Sequence, residues 1–435
     1  MLAIHAARRY HRHVNAAPAG DNATLYELGE VSAAALHEAA RAMRAQPNVL
    51  AVIPGHSSLY VIRGEGAVRT SVIRQPREHR IRVSFDGADL PELLARVPRD
   101  EFLARIPALR LTARYLGFRG GFAYLDGWPA EWSMPRRATS RPVARGSFAI
   151  AGSVAGFYPI DSPGGWNLLG RTDADVEHAF VPGDTIVLEL VEPAELLSRP
   201  TQKQAKASLR HAELIASPLV TLVNDPDWSN VDRGIAPGGP FDDVAAALAR
   251  RAVGGDADLL ECAMSGPRLR FTRDAVTAWC GPDLDVRVQR VRAGEELAFG
   301  RIEGGLRGYL AIGDEEGVIA RASRDERHVI RALRGPHDIG LTQVECDVTP
   351  QLNRIGIRLR PRTPLEFTIP ADLRSCGMQC GTVQLHPDGS LVAMGPEHPV
   401  TGGYLQPMTV LTSERWKLAQ LTPGEMVTLI AQPPY

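Results

Sequence analysis

With 435 residues the chain is too long for one ordinary core, and 44 % hydrophobic with 23 % charged residues is the composition of a folded globular protein. A formal charge of −1 removes the electrostatic case for nucleic acid or an anionic membrane as partner. No apolar run approaches the ~18 residues of a membrane span, and Met1 to Ala19 has no apolar core like that of a secretory signal.

Five widely spread cysteines read as reduced thiols, which together with the missing signal predicts a cytoplasmic protein. Cys376 and Cys380, with His386 nearby, have no second pair at ligand spacing, so no metal site is expected. Lys203, Lys206 and Lys417 are the only lysines among 49 basic residues, and no covalent biotin site is seen.

The predicted elements begin with a strand over Thr24 to Leu28 and a helix over Val31 to Ala45 with Ser32 as N-cap. A strand pair, Val49 to Gly55 and Ser58 to Ile62, completes a small α+β unit over residues 1–80. Short helices follow at Leu90 to Arg96 and Glu101 to Ile106. The segments then become short, β-branched and punctuated by Gly and Pro, as in barrels or sandwiches. The polar stretch 201–207 reads as a linker, and Phe241 to Val253 is the one convincing helix beyond it.

One pattern recurs. Gly146 to Ile150, Ser162-Pro163-Gly164-Gly165-Trp166 and Pro182-Gly183-Asp184 before Thr185 to Leu188 return as Gly381 to Leu385, Thr401-Gly402-Gly403-Tyr404 and Pro423-Gly424-Glu425 before Met426 to Leu429. A third copy of the last turn is Ala293-Gly294-Glu295. Such repetition means one supersecondary unit used more than once. The chain is therefore mainly β: three barrel units (81–200, 208–320 and 321–435) behind the α+β head. Gly-Gly before an aromatic residue also lets backbone approach a ligand where a side chain would block it.

Tyr115-Leu116-Gly117-Phe118-Arg119-Gly120-Gly121-Phe122, Pro135 to Arg141 and Ser162 to Thr172 resemble the signature of the B component of 5-oxoprolinase, also called KipI-like or allophanate hydrolase subunit 1. Gly234 to Asp242, Asn353 to Leu359, Gly381 to Gln384 and Thr401 to Tyr404 resemble its partner, the C component, KipA-like or allophanate hydrolase subunit 2. The resemblance covers about 20–435 in the order of a natural fusion and implies cyclophilin-like barrels.

It further implies ATP-dependent opening of a lactam, 5-oxoproline, together with a LamB/YcsF-like A component. Related modules form the carboxyltransferase part of urea carboxylase, where an amide meets carboxybiotin. A site for such chemistry needs a carboxylate for the amide N–H, donors for a developing oxyanion and a dry pocket. On the resemblance, Asp242 and Glu397 are the catalytic pair, sharing a cleft. Asn353, Arg354, Gln384, His386, Thr401, Gly402, Gly403, Tyr404, Gly238 and Gly239 are the substrate-binding set. Asp242 also suits a plain helix N-terminus.

Arg136, Arg137, Arg141 and Arg171, with Trp166, form the densest basic group of the first barrel and suit a nucleotide phosphate or a carboxylate. No phosphate-loop motif occurs, so ATP rests on the resemblance alone. Gly120 where the family has Pro, Cys376 where it has Glu, Glu397 where it has Asp and a missing His upstream of Tyr115 mark a divergent member. Two further readings follow: a repurposed enzyme for amide carboxylation or cyclisation, and a KipI-like regulator that binds a sensor kinase. A homo-oligomer is compatible with either.

Overall fold

The computed structural model describes residues 14–64, 75–177, 179–196, 209–216, 219–254 and 256–433. The expected linker 201–207 lies outside the described residues. Among the described residues no helix is long and apolar enough to cross a membrane.

The head is a four-stranded antiparallel sheet, Asn15–Pro18, Ala23–Glu27, Ser58–Arg63 and Val49–Pro54 in spatial order, backed by the helix Ala33–Arg44. Ser32 caps that helix, its hydroxyl accepting from the Ala35 amide at 3.3 Å. Leu36, Ala40 and Met43 recur at helical spacing and bury against Val52, Leu59 and Val61 of the sheet.

The first barrel is a seven-stranded sheet between Glu78 and Leu190. Its last strand, Thr185–Leu190, lies parallel to its first, Glu78–Val83, with Thr185 beside Glu78. The C-terminal unit repeats the plan as a closed barrel in which Met426–Gln432 lies parallel to Val329–Arg334. The sequence repeat therefore marks a repeated structure. Gly183 and Gly424, at φ 98° and 89°, make the turns into the two closing strands. Ser162–Gly164 pairs with Arg141–Val143 as Thr401–Gly402 pairs with Cys376–Gly377.

The third copy departs from the pattern. After Gly294 the strand Glu296–Ala298 pairs antiparallel with Arg268–Phe271 in a small three-stranded sheet. The strands of the middle unit thus fall in a five-stranded sheet, with that smaller sheet on one face and the helix Asp243–Ala252 on the other, and the repeated turn there leads into no parallel closing strand among the described residues. The sequence reading also missed the short helix Arg415–Gln420.

The head rests on both barrels that flank it. Arg114 of the first barrel donates to the carbonyls of His56 and Val31 at 2.5 and 2.6 Å, and its other nitrogen reaches Asp126 at 2.6 Å. The His56 amide donates to the Ser375 carbonyl of the C-terminal barrel at 2.8 Å.

Candidate functional site

A cleft of about 1240 Å³ lies between the middle unit and the C-terminal barrel. Its charged wall starts on the strand Asp258–Ala263, where Glu261 stands directly opposite Tyr309 of the strand Arg307–Gly313. Arg307, two residues from Tyr309, projects from the same face. Glu261 is buried and accepts from the Tyr309 hydroxyl at 2.8 Å, Arg307 Nε at 3.1 Å and the Phe241 amide at 2.9 Å. Burial pushes its carboxyl up, but Arg354 and Arg307 outweigh burial and hold it below the usual carboxylate range.

Arg354 arrives from the C-terminal barrel. The Asn353 side chain accepts from the amides of Ile355 and Gly356 at 2.8 and 3.2 Å, an Asx turn that presents Arg354 to the cleft. The guanidinium lies 2.7 Å from Glu261 and 2.7 Å from Glu397, and donates to the Gly239 carbonyl at 2.7 Å. Gly238 and Gly239, at φ 68° and 91°, form the turn that offers this carbonyl. Glu397 is 48 % exposed, and its second oxygen has no partner among the described residues. A guanidinium therefore sits between one buried carboxylate and one open to the cleft.

Asp242 does not join this arrangement as expected. It is fully buried and caps the helix Asp243–Ala252, accepting from the Ala245 amide at 3.0 Å. Arg324 at 2.5 Å and Gln420 at 2.6 Å take its remaining acceptor positions. It reaches the cleft wall only through other groups: its own amide donates to the Tyr309 hydroxyl at 2.7 Å, and Gln420 accepts from the Arg307 amide at 3.0 Å. The pairing of Asp242 with Glu397 across a shared cleft is thus corrected: the carboxylate that faces Glu397 through Arg354 is Glu261.

The remaining predicted residues gather elsewhere, where the two halves of the chain meet. The Thr401 hydroxyl donates to the Leu116 carbonyl at 3.3 Å. A side chain on Gly117 would fall 1.6 Å from that hydroxyl, so glycine alone lets the two barrels touch here. Gly402 is close-packed by Met378 and Gln384, whereas Gly403 is exposed. Gln384 is buried, its amide 3.6 Å from the Met378 sulfur.

His386 stacks on Tyr404, ring centroids 4.1 Å apart, and burial pushes its imidazole down to about 4, so it is neutral at pH 7. Trp166 packs edge-on to Phe122 and Tyr124. The basic set does not form a phosphate site: Arg137 and Arg141 both pair with the buried Asp89, and Arg171 pairs with Asp86 at 3.0 Å. Only Arg136 lacks a partner among the described residues. Cys376 is buried, with the Gln406 amide 3.2 Å from its sulfur, and no cluster of three metal-binding side chains occurs among the described residues.

Sequence reasoning missed Glu261 and Arg307. The available signal was a lone carboxylate inside the apolar run Leu259-Leu260-Glu261-Cys262-Ala263, where a charge is costly without a partner.

Comparison with known proteins accords with this architecture. A family model described as carboxyltransferase domain, subdomain C and D, matches residues 14–179, and one for subdomain A and B matches 233–320 and 315–431. The chain is 29 % identical over 168 residues to the B component of 5-oxoprolinase from Escherichia coli O157:H7, covering 32 % of this chain and 77 % of that one. It is 24 % identical over 258 residues to the C component of 5-oxoprolinase from Escherichia coli K12, covering 45 % and 83 %.

Against the protein named "Putative urea carboxylase" of Emericella nidulans it is 25 % identical over half of its own length but only 24 % of that relative's. The chain thus spans about a quarter of that relative. The crystal structure of TTHA0988 superposes with a TM-score of 0.76 at 26 % identity, covering 94 % of this chain and 99 % of that one. The chain belongs to the carboxyltransferase-domain family, as a single-chain fusion in which the module similar to the 5-oxoprolinase B component precedes the module similar to the C component.

Proposed function

We propose that this protein is the fused B and C component of an ATP-dependent 5-oxoprolinase-type enzyme, and that it activates a lactam or amide in the cleft between the middle unit and the C-terminal barrel. The observation that carries this reading is the array Glu261–Arg354–Glu397. A guanidinium has five N–H donors; Nε of Arg354 faces Glu397, Nη1 is buried against Glu261, and Nη2 donates one hydrogen to the Gly239 carbonyl, which leaves the second Nη2 hydrogen for a substrate oxygen. That donor suits the negative charge that develops on a carbonyl under attack. Glu397 is the open carboxylate, placed to orient or accept the amide proton. Glu261 holds the fork of Arg354 from the buried side of the cleft wall.

ATP and a LamB/YcsF-like partner enter from the resemblance, and no step here runs through the nucleotide. The test is release of glutamate from 5-oxoproline with ATP and a LamB/YcsF-like protein. Glu397→Gln should lower turnover at least ~100-fold, in the range of a lost general base, and Arg354→Ala should abolish it. Full turnover in both variants would remove the chemistry from this cleft. The carboxyltransferase family description and the urea carboxylase relative favour one second reading, carboxyl transfer to an amide nitrogen in the same cleft. An N-carboxylated product formed from amide and carboxybiotin, without glutamate release, would select it.

A further inference from the structure

A single five-membered lactam is far smaller than this cleft, since cavities of about 300–1,000 Å³ already enclose ligands of drug size. Part of the surplus wall is apolar and shaped by an unusual turn. Met264 has φ 66° and is 60 % exposed. The Ser265 amide donates to the Ala263 carbonyl at 2.8 Å, closing a tight γ-turn around it. A bulky residue with positive φ is strained, and such strain persists only where surrounding structure enforces it.

Here the enforcement is visible. The Met264 amide donates to the Leu306 carbonyl at 2.8 Å, and its own carbonyl accepts from the Ile302 amide at 2.9 Å. Leu219, 54 % exposed, is tied alongside by the Ala263 amide, which donates to its carbonyl at 2.9 Å. Ser265 bridges Arg301 in antiparallel register, so a guanidinium without a partner among the described residues stands beside this apolar rim. The cleft thus has three features at its edge and wall: the Arg354–Glu397 array, an apolar rim and a free cation.

Resting on the proposed function, we infer that the preferred substrate is a lactam extended by an apolar residue that ends in a carboxylate, the class of 5-oxoprolyl dipeptides. The lactam meets Arg354 and Glu397, the apolar side chain covers Met264 and Leu219, and the terminal carboxylate pairs with Arg301. Titration calorimetry on the full chain tests this with 5-oxoproline, 5-oxoprolyl-alanine, 5-oxoprolyl-leucine and 5-oxoprolyl-leucine amide. Affinity should rise at least tenfold from 5-oxoproline to 5-oxoprolyl-leucine and fall severalfold for the amide.

Met264→Gly removes the side chain and relaxes the backbone. It should leave 5-oxoproline binding unchanged and erase the leucine advantage, and Arg301→Gln should erase the carboxylate advantage. A flat series, or a leucine advantage kept in Met264→Gly, overturns the inference. Flat but Arg354-dependent binding overturns this inference alone. A graded, Met264-dependent series without any ring-opened product (glutamate from 5-oxoproline, glutamyl-leucine from 5-oxoprolyl-leucine) upholds it while rejecting the reaction. No binding by any compound overturns both.

Discussion

At Arg354 the chain holds a cation between two carboxylates, whereas at Thr401 it presses one half against the other with a hydroxyl and a missing side chain. Both places carry family motifs, yet they fail in different ways. The charged cleft depends on partners that neutralise one another, so removing one leaves the others stranded in low dielectric. The seam between the halves depends on close approach, so adding atoms rather than removing them does the damage.

The strongest test of that contrast is Glu261→Leu. It leaves Arg307 and Arg354 without their buried counter-charge and should cost about 3–5 kcal/mol, read by denaturant unfolding. Asp242→Ala should come next, at roughly 3 kcal/mol, because it strands Arg324 and uncaps a helix. Its substrate affinity, measured on the folded fraction, should stay near that of the parent. A large loss of affinity with unchanged stability would instead return Asp242 to the site.

Gly117→Ala should cost about 1–3 kcal/mol by overpacking against Thr401. Gly300→Ala, with open space around it, is the control. Equal melting temperatures for the two would deny that the halves touch at Gly117.

The smallest effect concerns pH. Burial, reinforced by Arg415, pushes His398 down to about 4, despite its hydrogen bond to the Pro399 carbonyl. The unfolded imidazole titrates near 6.5, so the unfolded chain binds the proton first. The stability this group contributes is complete above pH 6.5 and is lost as pH falls toward 4. His398→Gln should flatten the melting temperature over that window, and an unchanged acid limb would exclude the buried neutral ring.

Much of the fold was legible because its signals are local. Ser32 ahead of a periodic run and the recurring Pro-Gly turns each specify geometry within a few residues. The site was less legible because its geometry is not local. Glu261 becomes a functional partner only through the register that sets it opposite Tyr309 and the turn at Asn353 that delivers Arg354. Asp242 misled for the opposite reason: a carboxylate after a glycine turn suits a cap and a base equally, and only Arg324 and Gln420 decide between them. The basic set of the first barrel likewise looked free until Asp86 and Asp89 were seen to neutralise it.

The parallel seams have a kinetic consequence. Each seven-stranded sheet joins its opening strand to its closing one, Glu78 to Thr185 and Val329 to Thr428, so neither can be completed until distant stretches of chain have found each other. Such long-range pairing is slow to form and leaves unpaired edges in the meantime. Refolding should therefore lag behind that of the locally wired head, and yields on dilution from denaturant should fall as protein concentration rises.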